Sequence, residues 1–186
     1  MRARVVLPLM GMAILATFVA FALINQKAEP LNRGAIELVD LPSAYCPSLA
    51  TVVATPRDGS ARIVFNSDLA VENCRKIPLA KLAGLGDGSI WVYVKLPRAL
   101  AFRILLDSTQ GRYSYAPSLG DANDDNVIDQ IDERLITDSL NSTDPSQVAT
   151  ADLDQDKRIT VMDLSLTRLN QRVGVSRPDG RNWSKQ

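Results

Sequence analysis

Apolar residues form an unbroken run at the start of this chain, alternate with polar ones through its middle, and recur at helical spacing near its end. The first run, Val5 to Ile24, holds twenty residues without a charge. At about 1.5 Å per residue, a helix of that length spans a bilayer. Arg2 and Arg4 precede it, which predicts a cytoplasmic N-terminus and places everything after Asn25 outside. Pro8 and Gly11 suit a membrane helix better than a soluble one. Two readings compete: an uncleaved anchor, favoured by the length of the run, and a signal peptide cut after Ala20-Phe-Ala22 or nearby. Both make the protein extracytoplasmic.

Residues 26–33 are polar and read as a linker. From 34 to 118 the pattern is that of strands. Ala35-Ile-Glu-Leu-Val39, Leu49-Ala-Thr-Val-Val-Ala54 and Ala61-Arg-Ile-Val-Phe65 alternate or are β-branched. Ile90-Trp-Val-Tyr-Val-Lys95 puts Trp91 and Tyr93 on one face and Ile90, Val92 and Val94 on the other. Phe102-Arg-Ile-Leu-Leu106 follows after Pro97, and Pro56-Arg-Asp-Gly59 and Gly84-Leu-Gly-Asp-Gly88 mark turns. Short strands at this spacing predict a small all-β sandwich.

Beyond residue 118 the period lengthens. Gln130 to Leu140 reads as a helix with Ile131, Leu135, Ile136 and Leu140 on one face, and Val161 to Val173 as another with Met162, Leu164, Leu166, Leu169 and Val173. Each helix follows an acidic loop. Tyr113 to Gly120, before the first loop, is a poor helix, with Pro117 and Gly120 near its end.

The loops carry the candidate chemistry. Asp121, Asn123, Asp125, Asp129 and Asp132 in the first, and Asp152, Asp154, Asp156, Thr160 and Asp163 in the second, set oxygen side chains at positions 1, 3, 5, 9 and 12. Position 7, Val127 or Arg158, offers its backbone carbonyl. Calcium takes about 6–8 oxygen ligands, and a twelve-residue EF-hand loop supplies them at these positions. The two copies are offset by 31 residues throughout, so chance crowding of Asp and Asn in ordinary solvated turns is the weaker reading. Two calcium ions are expected. Ile128 and Ile159, at position 8, are expected to join the loops through a short β-bridge. Position 6 usually holds Gly in a left-handed conformation; here it is Asn126, which tolerates that well, and Lys157, which tolerates it less. Position 12 is Asp rather than Glu, which demands a tighter closure.

A loop followed by one helix, repeated once, resembles the dockerin module, whose repeats run Gly-Asp-x-Asn-x-Asp before a Leu-rich helix. Gly120-Asp121-Ala-Asn123-Asp-Asp125 and Ala151-Asp152-Leu-Asp154-Gln-Asp156 carry the resemblance, which covers about 55 residues. It implies docking to a cohesin-like domain and a place in polysaccharide-degrading assemblies at cell surfaces. The partner-reading pair of the best-known type is often Ser-Thr at positions 10 and 11; here it is Gln130-Ile131 and Val161-Met162. That departure speaks against that type of cohesin partner; an apolar pair serves another partner or packs on the neighbouring β domain, and the reading of Ile131 and Met162 as core residues is favoured here. Residues 77–100 are similar to the last hairpin of immunoglobulin-like or prealbumin-like accessory domains of bacterial surface proteins.

Composition narrows the function. Net charge is zero, yet Leu119 to Asp163 holds twelve acids and three bases while the remainder holds nine and eighteen. Crowded carboxylates favour divalent cations, and the scattered bases give nucleic-acid binding little support. No His is present, which removes the commonest general base; no phosphate loop or nucleophile motif appears. The chain reads as a non-enzyme. Cys46 and Cys74, the two cysteines, read outside the membrane as a disulfide, with two free thiols as the alternative. Residues 175–186 form a polar tail, loose by default, with Trp183 able to fold back onto the sandwich.

The expected architecture is therefore multi-part: a membrane anchor or signal segment (1–25), a linker (26–33), a β-sandwich (34–118), a small α module of two calcium-loop/helix repeats (119–174) and a tail (175–186). Two functions compete, a calcium-dependent docking module and a structural element that calcium merely stiffens.

Overall fold

The structure, a computed structural model, describes residues 34–85, 88–107 and 111–183. The transmembrane helix of the expected architecture is corrected: no helix among the described residues is long and apolar enough to cross a membrane. Val5 to Ile24, where that expectation falls, lies outside the described residues. What is described belongs to one compact unit, Asn32–Gln186, in which two sheets and three helices share contacts.

Seven strands build the sheets: β1 (Ala35–Leu38), β2 (Leu49–Pro56), β3 (Phe65–Ala70), β4 (Lys76–Pro78), β5 (Ile90–Lys95), β6 (Phe102–Leu106) and β7 (Arg112–Tyr115). One sheet runs β4-β1-β7 and the other β3-β2-β5-β6. All pairs are antiparallel except β1 with β7, which lie parallel with Ile36 opposite Tyr113. The inner faces meet in one core. Ile36, Leu38 and Ile77 come from the first sheet and Val52, Val92, Val94, Phe102 and Leu106 from the second, with Tyr45, Leu79 and Leu82 filling between.

Strand β5 shows why its alternation is so regular. Ile90, Val92 and Val94 enter that core, while Tyr93 on the opposite face joins Val53, Ala101 and Trp183 in a second apolar cluster flanked by Trp91. Trp183 is buried, and its indole N–H donates to the Val175 carbonyl at 2.7 Å. The tail up to Trp183 is thus tied down, because an amphipathic ring can bury its body and satisfy its one donor at once.

Several expected elements shift. The third strand starts at Phe65 rather than covering 61–65, and it includes Asn66, Ser67 and Asp68. Among the described residues it is an edge strand, paired only with β2, so its polar residues face solvent. Tyr113 to Tyr115, read as poor helix, is the core of β7. Residues 77–100 do not form a hairpin: β4 and β5 lie in different sheets, with a 3-10 turn at Ala80–Leu82 between them.

Three helices follow: α1 (Gln130–Asp138), α2 (Pro145–Ala151) and α3 (Val161–Leu169), with a small ribbon of β8 (Val127–Ile128) and β9 (Arg172–Val173). Helix α2 adds to the two expected. Its signal was Asp144-Pro145, an N-cap that accepts from the Ser146 amide at 2.7 Å and a proline in the first turn. Helix α3 stops at Leu169, and Val173 lies exposed in β9 instead. Ile136, Ala151, Leu153, Ile159 and Leu164 make the helical core; Leu166 packs against both this core and that of the sheets.

Candidate metal centre

Both acidic loops adopt the same bonds at the same positions. At position 1, Asp121 Oδ2 accepts from the Asn126 amide at 3.0 Å, and Asp152 Oδ2 accepts from the Lys157 amide at 2.9 Å. At position 3, Asn123 Oδ1 and Asp154 Oδ1 accept from the amides of Asp125 and Asp156. At position 5, Asp125 Oδ1 and Asp156 Oδ1 accept from the amides of Val127 and Arg158, each at 2.8 Å. These side-chain-to-backbone bonds curl each loop inward on its own oxygens.

Position 6 must be left-handed for that curl, and it is: φ is 72° at Asn126 and 73° at Lys157. The Asn126 side chain gains from its place. Its Oδ1 accepts from the Ala101 amide at 2.6 Å and its Nδ2 donates to the Val175 carbonyl at 3.1 Å. Lys157 shows no comparable side-chain bond among the described residues, so its strain is not offset.

Positions 9 and 12 have a structural duty. Asp129 and Thr160 cap α1 and α3 by accepting from the amides of Ile131 and Met162, at 2.7 and 3.1 Å. Asp132 and Asp163 complete each capping box by accepting from the amides of Asp129 and Thr160, at 2.9 and 2.8 Å. Their other oxygens accept from Asn123 at 3.2 Å and Leu153 at 2.7 Å. Both carboxylates are fully buried, and each latches the start of its loop to the start of its helix. Burial raises the Asp132 pKa against three backbone bonds that lower it.

The expected loop-to-loop bridge does not form. Ile128 pairs with Arg172 in the β8–β9 ribbon, while the Ile159 carbonyl accepts from the Asn141 amide at 2.9 Å. The ribbon closes because α3 ends early, which returns the chain to the first loop. Gly120, at φ 138°, admits the approach of α3: a Cβ there would sit 3.0 Å from Thr167 Cα.

Three observations fit a hard cation. Asp152, Asp154 and Asp156 bring carboxylate oxygens within 4.8 Å of one another. Asp121 Oδ1 is a buried polar atom with no hydrogen-bond partner among the described residues. Burial pushes Asp154 up to about 6, aided by the charges of Asp163, Asp156 and Asp152, and burial pushes Asp121 up to about 6 as well, against the pull of Lys95. Carboxylates crowded against one another favour a counter-charge. The donors are all oxygen, as calcium requires.

At positions 10 and 11, where the loops run into the first turns of α1 and α3, Gln130 is exposed, and Ile131, Val161 and Met162 are 56%, 71% and 57% exposed. The core reading of Ile131 and Met162 is corrected: Leu135, Ile136 and Leu164 supply the buried face instead. Cys46 and Cys74 form a disulfide, with Cα atoms 4.4 Å apart. Sequence reasoning missed two residues of the β region that reach the loops. Lys95 donates to Asp121 Oδ2 and Asp124 Oδ1, both at 2.8 Å. The Arg98 guanidinium donates to the carbonyls of Asp152, at 2.8 Å, and Ala149. The available signal was a lysine ending an otherwise apolar strand.

Residues 119–171 match the dockerin type I domain. No curated protein matches the chain. Among solved structures, a C-terminal interface mutant of a type II cohesin–X–dockerin complex from Acetivibrio cellulolyticus is similar at 15% identity and a TM-score of 0.50, covering 76% of this chain and 95% of that one. The N-terminal interface mutant of the same complex gives 17% identity and a TM-score of 0.47, with the same coverage. At 15% identity the first likeness is one of fold alone.

Proposed function

We propose that residues 119–171 are a calcium-dependent docking module that presents the first turns of α1 and α3 to a cohesin-like domain. Exposed apolar Ile131, Val161 and Met162, at positions 10 and 11 of the acidic loops, carry this reading. Three such side chains on two capped helix starts leave apolar area in water that a partner would cover. The dockerin match and the likeness to a cohesin–X–dockerin complex support the class of partner.

In this reading Asp121, Asn123, Asp125 and Asp132 hold one ion, with the Val127 carbonyl. Asp152, Asp154, Asp156 and Asp163 hold another, with the Arg158 carbonyl. Asp129 and Thr160 act through the helix cap or a bridging water. Calcium would neutralise the crowded carboxylates and hold both helix starts in one orientation. The chain's own residues then read the partner, Gln130 and Ile131 from one repeat and Val161 and Met162 from the other. Docking, not catalysis, is the role, and the setting is extracytoplasmic, where the Cys46–Cys74 disulfide persists. The stiffening role is not lost: Leu135 and Leu166 turn inward and join the helices to the cores.

The test is capture by a panel of cohesin domains in calcium and in chelator, using the full chain and its Ile131→Asp and Met162→Asp variants. Calcium-dependent capture, abolished by the variants while their melting temperatures stay unchanged, is expected. Capture indifferent to both substitutions would overturn the surface.

A further inference from the structure

The two loops share their internal bonds but not their surroundings. Lys95, at the end of β5, is 6% exposed. Its ammonium has three protons, and three strong acceptors receive them: the Ala99 carbonyl at 2.6 Å and the carboxylates of Asp121 and Asp124 at 2.8 Å each. The Arg98 amide donates to the same Asp124 oxygen at 2.8 Å. The first loop is therefore gripped by the β region through positions 1 and 4, and at position 6 through the bond from the Ala101 amide to Asn126 Oδ1. In the second loop, position 4 is Gln155, which accepts from the Cys46 amide at 2.9 Å, and Arg98 reaches only backbone carbonyls. Among the described residues no cation forms an ion pair with Asp152, Asp154, Asp156 or Asp163.

We propose that Lys95 is a positioning residue for the first loop, a cation built into the sheet that keeps this loop folded without a metal, whereas the second loop depends on the ion it binds. The inference rests on the calcium reading of the two loops. Lys95 and the Asn126 amide both take Asp121 Oδ2, which leaves the partnerless Oδ1 for the ion. Lys95 thus offsets the loop's negative charge without competing for the coordinating oxygen. A buried ammonium among carboxylates is held by excellent geometry or not at all, and here every donor has a partner. The second loop meets the mutual repulsion of its four carboxylates with backbone amides and the Thr160 hydroxyl, which donates to Asp163 Oδ2 at 3.4 Å, and with no ion pair among the described residues.

Amide hydrogen exchange on the full chain tests this, in chelator and in calcium, with Lys95→Met and Asp124→Ala. In chelator the wild-type amides of residues 123–127 should exchange about tenfold more slowly than those of 154–158, since local opening free energies differ across a fold. Lys95→Met should remove most of the difference, the Asn126 bonds keeping the rest, and Asp124→Ala, which leaves the sequence of β5 unchanged, should reduce it. Calcium should then slow the second loop most. Equal exchange of the two loops in wild-type chelated protein, or an unchanged first loop in both variants, would overturn the proposal. If Lys95→Met fails to fold, Asp124→Ala alone decides. Asymmetry in chelator without any response to calcium would leave Lys95 in its role and sink the calcium reading instead.

Discussion

The Cys46 amide donates to Gln155 Oε1 at 2.9 Å, so the turn closed by the Cys46–Cys74 disulfide rests on position 4 of the second acidic loop. Arg75 braces the same turn, donating to the carbonyls of Tyr45 and Pro42 at 2.8 Å each. Opening the disulfide frees a segment of sequence separation 28, which on the chain-entropy estimate costs about 3–4 kcal/mol. Urea unfolding of the Cys46→Ser/Cys74→Ser variant should show that loss, with weaker calcium binding at the second loop. An unchanged midpoint would mean that the turn is held without the bridge.

Gly174 makes room for Asn126. A Cβ on Gly174 would lie 2.2 Å from Asn126 Oδ1, the atom that accepts from the Ala101 amide. Gly174→Ala must displace that side chain and leave a buried donor unpaired, at about 1–3 kcal/mol. Gly84→Ala meets nothing within 4 Å and serves as the neutral comparison. Chemical denaturation of the pair should separate them clearly.

The alternation of β5 and the repeat of the acidic loops were legible because both are local rules written in every residue. Period 2 fixes the two faces of Ile90 to Lys95, and loop positions fix their own side-chain bonds. The partners of those elements were not legible. Nothing in the sequence says that β7 lies parallel to β1, that Ile128 pairs with Arg172, or that Lys95 reaches Asp121, 26 residues away in sequence. Such choices come from tertiary packing, which local propensity does not encode. The exposure of Ile131 and Met162 is not legible for a related reason. Helical spacing shows which residues share a face, but the capped first turns put these two beyond the packed stretch.

Acid should steady the metal-free protein over one window. The carboxyls of Asp121 and Asp154 are raised from 3.8 to about 6, so the folded state binds their protons more tightly than the unfolded chain. The stability they contribute is complete below the unfolded value and is lost as pH rises through about 6. In chelator, the melting temperature should therefore climb as pH falls from 7 to about 4.5. Below that, Asp58, Asp144 and Asp179, whose carboxyls are held low by hydrogen bonds, reverse the trend. Calcium affinity should fall over the same window, because the ion displaces those protons. A flat melting curve in chelator would contradict the burial of these two groups.

Lys157 holds a left-handed backbone at φ 73°, a conformation that costs a side-chain-bearing residue about 1–2 kcal/mol. Lys157→Gly relieves that strain and removes a positive charge beside the carboxylates. Calcium affinity at the second loop should rise about fivefold, part of the gain being lost to the freer unfolded chain. Fluorescence competition with a calcium chelator would measure it; reduced affinity would show that Lys157 supports the loop.

The most direct measurement is a calorimetric calcium titration of the full chain beside its Asp121→Ala and Asp152→Ala variants. Two binding events, one lost in each variant, are expected of paired loops that each hold an ion. No calcium heat in the wild-type chain would contradict the metal centre, and with it the calcium-dependent docking built upon it.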